Sequence, residues 1–152
     1  MVTFVGTQTK LADALRDLME LDYEAKEAYE AAVNRLDNME YKNQLTQFKK
    51  DHQRHMDEIS AVLKSKGENM PIMPSMKQWL TKGKVVFANL LGDDTILKAM
   101  ASNEIDTNTA YERMNERDDL WPEVADIVRR GLRDEHHHAE WLEQAIKKAK
   151  NN

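Results

Sequence analysis

The chain has 152 residues, of which 41% are hydrophobic and 32% charged, with five glycines, three prolines, no cysteine and a net charge of −5. This length suits one domain with a core of its own, and the scarcity of glycine and proline favours long helices over a turn-rich β fold. The lack of cysteine excludes disulfides, zinc–thiolate sites and iron–sulfur clusters, and the negative charge argues against nucleic acid as the main partner.

Four segments carry apolar stripes whose steps alternate between three and four residues, the spacing of an amphipathic helix. The stripes predict helices over about 9–36, 39–66, 95–116 and 122–148 within a single domain spanning 1–152. The first runs Leu11, Leu15, Leu18, Asp22, Ala25, Tyr29, Ala32, Leu36. The second runs Tyr41, Leu45, Phe48, His52, His55, Ile59, Val62. Asn38 is placed to cap it and Gly67 to end it. The tight link at Asp37–Asn38 predicts an antiparallel hairpin.

A longer segment follows, over 67–94, opened by Pro71 and Pro74. Met76, Leu80, Gly83, Phe87 and Leu90 predict a short amphipathic helix within this crossover. Trp79, Leu80 and Phe87 can either cover the bundle or meet a partner subunit. The third stripe runs Leu97, Met100, Glu104, Thr107, Tyr111, Met114, with Asp94 placed to cap it. The fourth runs Val124, Val128, Gly131, Glu135, His138, Leu142, Ala145, with Pro122 in its first turn, where a missing N–H costs nothing. The short link 117–121 predicts a second antiparallel hairpin. The expected fold is all-α, a four-helix bundle of two hairpins joined by a long crossover.

Asp22, His52, His55, Glu104, Glu135 and His138 interrupt these apolar stripes. Burying unpaired charges at scattered core positions is very costly. These six are not scattered. Each lies near the middle of its helix, at matched distances from the tight turns, so antiparallel hairpins bring all six to one height. Residues three apart share a helix face, so each pair can point inward together. The pattern also repeats. An acid (Asp22), a tyrosine seven residues on (Tyr29) and His-x-x-His in the first hairpin match Glu104, Tyr111 and Glu-x-x-His in the second. A divalent metal would balance such a layer and takes these ligand types. The alternative is a hydrogen-bonded network with some carboxyls protonated, or a wet bundle centre. Tyr29 and Tyr111 either hydrogen-bond to the ligands or pack with their hydroxyls reaching solvent or backbone. Thr107 is a further candidate to support a ligand, or a small core residue. His136 and His137 fall off the stripe and read as exposed. Glu20, Glu24, Glu27 and Glu30 read as a solvated helix face, and the methionines, including Met56, Met100 and Met114, as core filling.

From about Leu11 to Ile146 the chain resembles the ferritin-like superfamily, close to rubrerythrin-type domains and small stress-associated bundles. In that family two helices each give one Glu and two give Glu-x-x-His, all facing a pair of iron ions. The resemblance puts Asp22 at the first-helix Glu, Glu104 at the third-helix Glu, Glu135 and His138 at the fourth-helix motif, and His55 at the second-helix His. Two departures stand out. Asp22 is one methylene shorter than Glu. His52 replaces the second-helix Glu that bridges the metals, and a neutral imidazole offers one lone pair. Glu135 is left as the bridge, and His52 as a third imidazole capping one metal.

The resemblance implies a metal-binding oxidoreductase, with iron in a di-iron or mononuclear site reacting with peroxide or dioxygen in stress defence. A separate reductant would be needed, since the chain has no cysteine. Zinc or manganese are the other expected ions, and a non-catalytic structural or binding module is the alternative function. A homodimer in the cytoplasm is expected. The residues Met1 to Gln8 have no signal-peptide pattern, and no apolar run approaches the roughly 20 residues of a membrane span.

Overall fold

The computed structural model describes residues 3–73 and 90–151, and among these the only regular elements are helices. They are α1 (Leu11–Val33), α2 (Met39–Ser65), α3 (Asp93–Glu116) and α4 (Pro122–Lys150). The strongest packing is α1 on α2 and α3 on α4, and the two hairpins meet through α1 with α3 and α2 with α4. Each helix therefore has two main neighbours, the arrangement of a four-helix bundle. The expected short helix around Met76 to Phe87 lies outside the described residues.

Local chemistry sets the ends of the helices. The Asn38 side chain accepts from the Tyr41 N–H at 3.2 Å and caps α2. At the other end Glu68 N donates to Leu63 O and Gly67 N to Lys64 O, while Gly67 holds φ at +70°. This paired closure uses a left-handed residue, which glycine adopts without a Cβ penalty. Pro122 takes the first turn of α4.

Two boundaries differ from the sequence reading. The α1 helix ends at Val33, and Leu36 is buried from the turn that follows. The apolar stripe simply continues past the last helical residue. The N-cap of α3 is Gly92, not Asp94, which instead pairs with Lys98 at 2.7 Å. Its neighbour Asp93 accepts from the Asp37 and Asn38 N–H groups at 2.8 and 2.9 Å, tying the start of α3 to the first hairpin turn.

The core is two apolar clusters with a polar layer between them. One cluster joins Leu15, Leu18, Ile59, Leu63, Met114 and Val128, and the other joins Leu36, Leu45, Phe48, Ile96, Leu97 and Leu142. Each fully buried side chain of this kind contributes about 1.5–3 kcal/mol, so the clusters hold the helices in register around the layer. The order of residues in the clusters fixes direction: α1 and α4 run one way, α2 and α3 the other. Among the described residues no helix is long and apolar enough to cross a membrane.

Candidate metal centre

The structure brings the six interrupting residues together. Asp22, His52, His55, Glu104, Glu135 and His138 are all at most 2% exposed, on four different helices, between the two apolar clusters. The register that buries Leu15 and Leu18 on α1 also turns Asp22 inward one turn later. The same logic places Glu104 after Met100 and His138 before Leu142.

The tyrosine hydrogen bonds in the layer cross between hairpins. Tyr111 of α3 donates to Asp22 Oδ2 of α1 at 2.7 Å, and Tyr29 of α1 donates to Glu104 of α3. Both tyrosines are fully buried, with their hydroxyls on carboxylates. Thr107 Oγ1 lies 3.1 Å from Glu104 Oε2 and 3.1 Å from its backbone oxygen.

The imidazoles are crossed in the same way. His55 of α2 reaches Asp134 of α4 through Nε2 at 2.9 Å, and His138 of α4 reaches Asp51 of α2 through Nε2 at 2.8 Å. Arg54 forms ion pairs with both of these aspartates. With Nε2 committed outward, Nδ1 of each ring faces the layer. An outer carboxylate of this kind fixes the tautomer and ring orientation of a metal-binding histidine and raises its basicity.

Inside the layer several buried polar atoms have no hydrogen-bond partner: His52 Nε2, His138 Nδ1 and both carboxylate oxygens of Glu135. Buried polar groups are normally satisfied, so a cluster of orphans marks a place made for something else. The orphans are both lone-pair donors and anionic oxygens, the donor set of a divalent first-row metal. Two overlapping groups can each hold an ion, Asp22–His52–His55–Glu135 and His52–Glu104–Glu135–His138, with ligand atoms within 4.8 Å of one another. His52 and Glu135 belong to both. Glu135 Oε1 faces His52 and His55 at 3.5 and 3.6 Å, and Oε2 faces His138 at 3.7 Å. His52 Nδ1 lies 2.8 Å from Asp22, and its Nε2 looks toward Glu104 at 4.0 Å.

Without an ion the layer is balanced by protons. Burial pushes the Asp22 carboxyl up, but hydrogen bonds with His52 and His55 outweigh this and hold it below its ordinary value. Burial likewise disfavours the Glu135 carboxylate, and the imidazoles of His52 and His138 bring it far below the usual range. Glu104 goes the other way, raised by burial and by the charge of Glu135. Burial pushes His55 down, yet Asp134 and Asp22 more than reverse this and lift it to about 10. His138 is lifted against its burial to about 12 by Asp51, Glu104 and Glu135.

Sequence reasoning passed over Asp51, Asp134 and Asn108. The signal for the first two was present: an Asp stands directly before both the His52-x-x-His55 and the Glu135-x-x-His138 pairs. Asn108 donates to the Glu104 and Glu135 backbone oxygens at 2.9 and 3.2 Å, bridging α3 and α4. His136 and His137 are exposed. Within the acidic run of α1, Glu30 is paired with Lys49 and Glu27 is buried. The burial of Glu27, at 8% exposure, corrects the reading of that run as a wholly solvated face.

Together these features define an all-α bundle whose buried carboxylate–imidazole layer can hold a metal ion. The chain belongs to the family described as a domain of unknown function, DUF2383, whose model matches residues 10–117. That match contains Asp22, His52, His55 and Glu104 and ends before α4. No curated protein and no solved structure matches the chain.

Proposed function

We propose that this single-domain chain is a ferritin-like protein that binds iron in the central layer, as a di-iron or mononuclear site, and reacts with peroxide or dioxygen in stress defence. The observation that carries this reading is the convergence of unpartnered buried donors at His52, Glu135 and His138. The shared direction of α2 and α3, which requires a long connection between the hairpins, supports the ferritin-like topology.

In this reading Glu135, shared by both ligand groups, would hold the ion or ions together with His55 and His138 through Nδ1 and with the carboxylates of Asp22 and Glu104. His52 serves one ion through a single nitrogen. A bound iron would supply the electron exchange with the oxidant. The chain's own part is to exclude water with the two apolar clusters, to hold the imidazoles with Asp51 and Asp134, and to keep a proton donor on each of the Asp22 and Glu104 carboxylates with Tyr111 and Tyr29. A separate reductant would restore the electrons. We expect the protein to act in the cytoplasm as a homodimer.

A second reading rests on His52, an imidazole where the ferritin-like proteins it resembles have a bridging carboxylate. It leaves the ligand set one negative charge short, which favours one ion, or a redox-inert ion such as zinc in a structural or binding module. Metal analysis of purified protein, followed by peroxide consumption after iron loading, separates the two. Absence of bound iron together with absence of iron-dependent turnover would sink the oxidoreductase reading.

A further inference from the structure

A groove of about 290 Å³ opens between α3 and α4, lined by Ala101, Glu104, Ile105, Asn108, Thr109 and Ala139. Glu104 is the one residue of the layer in this lining, and it is only 2% exposed, so the groove stops at the edge of the layer. Small side chains on facing helices, Ala101 and Ala139, leave the space open. Apart from Glu104 the walls carry no formal charge. The volume sits near the lower limit of small-molecule sites, roughly 300 Å³.

Between the groove and the centre stands the carboxamide of Asn108. Its two N–H groups face three acceptors: Glu104 O at 2.9 Å, Glu135 O at 3.2 Å and Glu104 Oε2 at 3.4 Å. A donor with more acceptors than protons can exchange among them and lose little at each step.

We propose that the α3–α4 groove is the port through which a small neutral solute of two or a few atoms reaches the layer, with Asn108 as its latch. An ion would have to shed water along walls that offer no compensating charge, which is costly. The port therefore selects neutral molecules, and metal ions reach the layer by another path. The purpose of the port rests on the metal-site reading, but its existence does not.

The test has two arms. In the metal-free protein, dissolved dioxygen is the probe, because its paramagnetism speeds methyl relaxation wherever it dwells. Ala101, Thr109 and Ala139 carry methyl groups and are half-buried. Their relaxation should be enhanced beyond that of the comparably half-buried Ala31 and Ala99, and Ala139→Leu should abolish the excess. Equal enhancement at all of these methyls would overturn the port. In the second arm nitric oxide binds to the iron(II)-loaded protein. Ala139→Leu should slow association and dissociation about tenfold each, equivalent to ~1.4 kcal/mol of barrier, with Kd unchanged. Asn108→Ala should speed both. Unchanged rates in both variants, with folding verified by thermal unfolding, would overturn delivery to the layer. Failure of the protein to hold iron would count against the metal reading alone, and the dioxygen arm would still decide the port.

Discussion

The ring of Tyr111 lies against the bare backbone of Gly131, where a Cβ would fall 2.3 Å from Tyr111 Cε1. This close approach lets the α3 tyrosine cross beside α4 and set its hydroxyl on Asp22 of α1. Gly131 thus has a packing reason to interrupt the apolar stripe of α4.

Replacing Gly131 by alanine tests this. Helix propensity alone would favour alanine by up to ~1 kcal/mol. Overpacking a rigid, fully buried ring costs about 1–3 kcal/mol, so the variant should be less stable on balance. Urea unfolding would show a lower midpoint. A higher midpoint would mean that the ring has room to move.

The outer aspartates should matter for metal affinity more than their partial exposure suggests. Asp51→Asn and Asp134→Asn each remove the anionic partner of an imidazole and should weaken metal binding by about 10–100-fold. Competition titration against a chelator would measure it. Affinities within a factor of two of the parent would show that Nε2 orientation is set elsewhere.

Glu135→Ala should lose more metal than His52→Ala. Both residues belong to both ligand groups, but the carboxylate has two oxygens facing opposite sides of the layer, whereas a neutral imidazole has one lone pair. Metal content after dialysis is the measurement, and equal retention by the two variants would count against a bridging Glu135.

The layer gives opposite pH trends with and without an ion. His55 is lifted on folding to about 10, against its burial, by Asp134 and Asp22. Its unfolded value is near ~6.5. A base raised on folding stabilises fully below its unfolded value, and that contribution is lost as pH rises through the folded one. The metal-free protein should therefore lose stability from pH ~6.5 toward pH ~10. A metal must displace the same proton, so affinity should rise over that window, with protons released on binding. Denaturation series and a weakly buffered metal titration would show both trends, and a flat apo profile would refute the assignment of a charged His55.

The position of the layer was legible in the sequence because two constraints coincide. Three-and-four spacing fixes which face each of the six residues takes, and matched distances from the tight turns fix its height. The crossed partners were harder to read. Asp51 and Asp134 lie one step from the inward face, a turn of about 100°, which looks like solvent on an isolated helix. In the bundle that direction meets the neighbouring helix, so only the docking of α2 with α4 gives it meaning. The cap of α3 was misread for a similar reason. Asp93 spends its carboxylate on the distant turn at Asp37 and Asn38, a contact invisible in local sequence.

The crossing also decides what an ion would do to the chain's mechanics. His55 and His138 each meet an outer aspartate of the opposite hairpin, and each candidate ligand group draws on both halves, so neither half alone is an adequate chelator. Capture of an ion would fasten the two halves as a staple does, and separating them would first require its release. At a free ion concentration a hundredfold above Kd this coupling stabilises the assembled state by about 2.7 kcal/mol. Occupancy of the centre would then register as resistance of the entire bundle to proteolysis.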